Sequence, residues 1–211
     1  MIKSANIIVP KTARYFLMGE IDKNCRDLWV VLHGYAQNTE QFISCFKALN
    51  KKGDTIVAPE GLSRFYKEGF YGEVVASWMT KEDRLNEIQD YINYLDMLCE
   101  EIKAKAPKAK IHLLGFSQGV ATAMRWYTLG NSTIDKLVLW GGETPPETNW
   151  LLVKNKVKNN SLHVVCGEQD PFIKNSDVQS LLAFLKEKNI QYKHYSFDGG
   201  HQLNSLILKE L

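Results

Sequence analysis

At 211 residues, 45% of them hydrophobic and 24% charged, the chain has the length and composition of one large globular domain with a substantial core. A formal net charge of +2, with the lysines at 103–110 and 154–158 interspersed among other residues, argues against a nucleic-acid surface. The N-terminus lacks the apolar core of a signal peptide, and no apolar run approaches the roughly 20 residues that cross a bilayer. The four cysteines are scattered without ligand spacing, so a cytoplasmic protein with reduced thiols and no metal is expected.

In chain order, two short apolar runs come first, at 7–9 and 15–18. The connection between them contains Pro10, and the pair reads as an antiparallel hairpin at the edge of a sheet. Strand-length apolar runs follow at 28–32, 55–58, 111–114, 137–140 and 162–165, with a further strand-like stretch at 192–197. Between them lie helical stripes: Leu85, Ile88, Ile92, Leu95, Cys99 and Ile102; then Val178, Leu181, Leu182 and Leu185; finally Leu203, Leu206 and Ile207. Continuous apolar strands alternating with helices predict an α/β fold over residues 1–211, with a mostly parallel sheet covered on both faces. The stretch 141–161 is a long loop, too short for a large lid domain. The stretch 60–81 reads as irregular and rich in aromatics, and its Phe70, Tyr71 and Trp78 are expected to wall a substrate pocket.

In such a sheet, ligands bind beyond the carboxyl ends of the strands. The strand at 111–114 runs into Gly115-Phe116-Ser117-Gln118-Gly119 and then into a helix over Gln118–Leu129. That strand–Gly-x-Ser-x-Gly–helix context predicts a nucleophile elbow carrying Ser117. A serine hydroxyl needs a base and an oxyanion hole to act. Asp170, in the turn after the 162–165 strand, is the expected acid, with Glu168 and Asp198 as competitors. His201, after Asp198-Gly199-Gly200, is the expected base, giving the chain order Ser, Asp, His. His112 and His163 lie inside strands and read as packed. His33 follows the 28–32 strand, and together with Gly34 it is expected to shape the oxyanion loop and the substrate site. The hole itself is expected from the backbone N–H groups of Tyr35 and Gln118.

With these residues in place, the chain resembles the carboxylesterase/phospholipase family of α/β-hydrolases, which includes acyl-protein thioesterases. The resemblance rests on Leu32-His33-Gly34, Ala58-Pro59, Ala76-Ser77-Trp78, the Phe-Ser-Gln-Gly of the elbow, Gly167-Glu168-Gln169-Asp170-Pro171 and Gly199-Gly200-His201. It implies an α/β-hydrolase fold and hydrolysis of a small-molecule ester or thioester by Ser117, His201 and Asp170, without metal or organic cofactor. A carboxylesterase for small or medium acyl chains is the leading expectation. An acyl-protein thioesterase or lysophospholipase would use the same three residues, and a noncatalytic ligand-binding homologue is the alternative from another class. Sequence leaves the oligomeric state, monomer or homodimer, open.

Overall fold

The computed structural model describes residues 1–51, 53–158 and 161–211. In chain order the elements are β1 (Tyr15–Met18), β2 (Asp27–Leu32), α1 (Thr39–Ser44), β3 (Asp54–Pro59), β4 (Ser63–Tyr66), β5 (Val74–Ser77), α2 (Arg84–Lys105), β6 (Lys110–Phe116), α3 (Gln118–Leu129), β7 (Lys136–Trp140), α4 (Trp150–Lys156), β8 (Leu162–Gly167), α5 (Asn175–Glu187), β9 (Lys193–Phe197) and α6 (Ser205–Glu210). Seven strands form one sheet in the order β1-β3-β2-β6-β7-β8-β9, parallel except for β1 against β3. This is the architecture the alternating apolar runs predict.

The two-residue period of the strands divides the core between the two faces. Leu28, Val30 and Leu32 of β2 belong to the same buried cluster as residues of α2, α3, α4 and α5. Trp29 and Val31, pointing the other way, join Phe42 and Ile43 of α1 and Ile207 and Leu208 of α6. Because every residue of β3 and β8 is buried, those strands carry no polar alternation.

Three expectations are corrected. Residues 7–9 form no strand, and β1 pairs with β3 instead, Tyr15 opposite Pro59 and Met18 opposite Ile56. The 7–9 run is too short to bury a face, and the following Pro10 has no N–H to give a ladder. Ile7, Ile8 and Val9 are therefore left exposed beside an open cleft of ≈ 750 Å³ lined by Tyr94 and Met97 of α2. The 60–81 stretch is not irregular: β4 and β5 pair as an antiparallel hairpin, Ser63 opposite Ser77. The 141–161 connection is not wholly loop either, since α4 lies within it, capped by the Asn149 side chain on the N–H of Leu152.

Candidate active site

Ser117 stands between β6 and α3 with φ 54 and ψ −118, a conformation that costs a residue with a β-carbon about 1–3 kcal/mol and persists only when its surroundings impose it. They do. The Ser117 N–H donates to the Trp140 carbonyl at 3.0 Å, and the Ser117 carbonyl accepts from the Val120 N–H at 2.9 Å. A β-carbon on Gly115 would lie 2.2 Å from the Gly119 carbonyl oxygen, so only glycine lets the turn close. The half-buried serine is thereby held at the carboxyl end of the sheet.

The loop after β8 brings in the acid. The Asp170 side chain is 1% exposed, and its Oδ1 accepts from the N–H groups of Phe172 at 2.9 Å and Ile173 at 3.1 Å. Its Oδ2 lies 2.7 Å from His201 Nδ1. A carboxylate accepts, so Nδ1 carries the proton and Nε2, across the ring, is left with a free lone pair. Glu168 and Asp198 are engaged elsewhere, on the Ser196 hydroxyl and the Gln169 amide. The two loops are stitched together by Glu168 N–H to Phe197 O and Gln169 N–H to Gly199 O, while Trp140 Nε1 donates to Gln202 O. Two rings enclose the imidazole, Phe116 and Phe172, each with its centroid 4.9 Å away. Since Phe116 directly precedes Ser117, this packing brings serine and histidine into one neighbourhood. Phe172 was not anticipated; its only sequence signal is an aromatic residue two places after the acid.

Backbone N–H groups also converge near the serine. Gly34 approaches so closely that a β-carbon there would lie 3.0 Å from Ser117 Cβ. The Gly34 N–H is taken by Gln37 Oε1 at 2.6 Å and the Ala36 N–H by Ala76 O at 3.0 Å. Between them, the Tyr35 N–H has no hydrogen-bond partner among the described residues, and neither does that of Gln118 at the start of α3. Ala36 holds a left-handed φ of 54, a strained value for a residue other than glycine, fixed by its bond to β5 and by the Gln37–Ala76 bridge. The Gln118 side chain performs a second fastening that sequence reading overlooked. Its Oε1 accepts from the Trp78 N–H at 3.1 Å and its Nε2 donates to Met79 O at 2.9 Å. The end of β5 thus braces both the Tyr35 loop and the elbow.

The expected pocket residues are placed differently. His33 is 0% exposed and Trp78 1%, which leaves neither any surface for a substrate. They stack on each other at 4.9 Å, and Trp78 Nε1 donates to His33 O at 2.8 Å, so both brace the Gly34 loop from behind. Phe70 and Tyr71 are 84% and 98% exposed in the turn between β4 and β5, and build no wall over the serine. Aromatic size misled within 60–81: Trp78 is absorbed into the core, and Phe70 and Tyr71 lie exposed. His112 and His163 are buried, as read. Among the described residues, no three His, Cys, Asp or Glu side chains converge as metal ligands, and no helix is long and apolar enough to cross a membrane.

The partners of His33 fix its protonation. Gly34 O, 2.7 Å from Nδ1, can only accept, and the Gly61 N–H, 2.9 Å from Nε2, can only donate; the ring is therefore neutral with its proton on Nδ1. Burial pushes its pKa down to about 4, against the opposing pull of the Gly34 carbonyl and Glu60. An unfolded chain takes up this proton near pH 6.5, whereas the folded chain refuses it until about pH 4. Stability is thus expected to fall as pH drops through that window and to level off below it, with His33 responsible for about 3 kcal/mol. Urea midpoints of wild type and His33→Gln between pH 7 and 4 test this: the variant should show the shallower decline, and parallel declines would refute it.

A parallel sheet covered on both faces, with a strained strand–Ser–helix elbow beside an Asp–His pair, defines an α/β-hydrolase. The chain belongs to the serine hydrolase (FSH1) family, whose model matches residues 25–205. Among solved structures, esterase PE8 is similar at a TM-score of 0.70 and 16% identity, over 95% of this chain and 96% of that one. Zea mays acyl-protein thioesterase 2 is similar at 0.67 and 20%, over 94% and 96%, and the Bacillus cereus carboxylesterase at 0.63 and 14%, over 94% and 91%. At such identities the likeness is one of fold. No curated protein matches the chain in sequence.

Proposed function

We propose that the chain is a carboxylesterase acting on small-molecule esters of small or medium acyl chain, working as one hydrolase domain over residues 1–211. The observation that carries this is the 2.7 Å bond from Asp170 to His201 beside a serine held at φ 54. In the first half-reaction His201 Nε2 takes the Ser117 proton as Oγ bonds to the ester carbon. The carbonyl oxygen becomes an anion held by the N–H groups of Tyr35 and Gln118. The C–O bond to the alcohol then breaks, and His201 returns the proton to the departing oxygen. Water repeats the sequence on the acyl-enzyme and releases the acid. Asp170 holds the imidazole in the required tautomer and stabilises the imidazolium.

These residues supply everything the reaction requires, with no metal or cofactor. A thioester would be cleaved by the same steps, a reading favoured by the thioesterase among the structural neighbours. All four cysteines are free thiols, three of them buried, which suits a reducing cytoplasm.

A fluorophosphonate probe tests the proposal. It should label the native protein stoichiometrically, fail on Ser117→Ala, and label His201→Ala far more slowly. An unlabelled native protein would favour the noncatalytic ligand-binding reading.

A further inference from the structure

The proposed reaction fixes where the leaving group must lie. His201 returns its proton to the departing oxygen, so the alcohol half of the substrate has to rest against the imidazole rather than behind the N–H pair. A groove of ≈ 530 Å³ lined by His201 and by Phe116, the neighbour of Ser117, meets that condition. Its near wall includes Ala36, next to Tyr35 in the Gly34 loop.

The chemistry of the groove is mixed in a particular way. Phe42, Phe116 and Leu208, all buried, supply an apolar floor between α1 and α6. Above it stand the exposed side chains of Gln41, Gln202 and Ser205, none of which is hydrogen-bonded to another described residue. At the far rim Lys67 and Glu73 face each other across the β4–β5 hairpin, where the Lys67 N–H donates to Glu73 O at 2.9 Å; neither side chain is in an ion pair among the described residues. One cation and one anion leave the rim neutral overall.

The geometry points to a neutral, polyhydroxylated alcohol as the leaving group: a polyol or sugar whose carbon skeleton lies on the floor and whose hydroxyls meet the two amides and the Ser205 hydroxyl. This rests on the esterase reading and adds the alcohol class to it. An alkyl alcohol of similar size would cover the same floor but strip water from Gln41 and Gln202 without replacing it. Leaving such groups unpaired is the basis on which a hydrogen-bonding site rejects an analogue lacking hydroxyls. In the reaction, the ester C–O bond to the sugar oxygen breaks, the acyl group passes to Ser117 Oγ, and the proton from Ser117 reaches the sugar oxygen through His201.

The test holds the acyl group constant and changes the alcohol. With acetyl esters, kcat/KM for 6-O-acetylglucose should exceed that for hexyl acetate by about tenfold or more, the equivalent of one or two net hydrogen bonds. In Gln41→Leu the ratio of 6-O-acetylglucose to p-nitrophenyl acetate turnover should fall by about tenfold. Cys45 offers an arm that needs no variant. It lines the groove and is the exposed member of the four free cysteines, so maleimide should attach there and lower the same ratio while Ser117 still takes the fluorophosphonate label. Hexyl acetate turned over as well as acetylglucose, or ratios unmoved by Gln41→Leu and by maleimide, would overturn the inference and leave the esterase reading standing. Absence of both p-nitrophenyl acetate turnover and Ser117 labelling would overturn the two together.

Discussion

Asp170→Asn is expected to lower kcat on p-nitrophenyl acetate by about 10⁴ with little loss of stability. The reason lies in how the two carboxylate oxygens are employed. Oδ1 accepts from the backbone N–H groups of Phe172 and Ile173, and only an oxygen can serve there. In the variant the amide oxygen must keep that place, which turns the NH₂ toward His201 Nδ1, now 2.7 Å from Oδ2. A donor facing Nδ1 moves the imidazole proton to Nε2, the atom that has to receive the serine proton. The imidazole stays packed between Phe116 and Phe172 and is blocked by its tautomer rather than by misplacement. Thermal melting should shift by only about 2–4 °C, the effect of about 1 kcal/mol in a chain of this size. Turnover within tenfold of wild type would mean that Asp170 does not set the tautomer.

Much of the fold and of the site is legible in the sequence. Strands buried on both faces read as unbroken apolar runs, so β2, β3, β6, β7 and β8 were placed to within two residues at either end, and α3 to its full extent. Ser117, Asp170 and His201 could be singled out because each follows a strand, and chain order then assigns the parts. What escaped were features whose cause is tertiary. The β4–β5 hairpin carries weak alternation in Ser63–Tyr66 and depends on the Gln37–Ala76 bridge for its place. Residues 7–9 have strand-like composition but no face to bury. Trp78 and Phe70 belong to one aromatic-rich stretch, yet one ends at 1% exposure and the other at 84%, a difference set by whether the chain at that point packs on His33, Tyr91 and Gln118 or leaves the sheet. The fastening of Trp78 and Met79 to the elbow by the Gln118 amide was equally hidden, because a motif names a residue without saying which of its atoms matters.

Gly119→Ala carries the largest expected effect on the fold itself. A β-carbon on Gly119 would sit 2.2 Å from Leu32 O, 2.8 Å from Leu32 C and 2.8 Å from His33 O. All three are backbone atoms at the carboxyl end of β2, so no side-chain rotation can make room. Either the first turn of α3 lifts off the sheet, or the His33–Gly34 corner retreats. The first displaces the Gln118 N–H, and the second undoes the close approach of Gly34 to Ser117 that positions the Tyr35 N–H. Overpacking of this kind costs about 3 kcal/mol, and because it is borne by backbone the melting temperature should fall by about 6–12 °C. Losing one oxyanion donor should reduce the kcat of whatever still folds by about 10²–10³. Gly200→Ala is the matched control: its β-carbon would meet only Gln169 O, at an ordinary 3.7 Å, so its melting temperature should stay within about 2 °C of wild type. Equal melting temperatures for the two variants would show that β2 and α3 are not packed backbone to backbone at this point, and the account of how the elbow is held would fail with them.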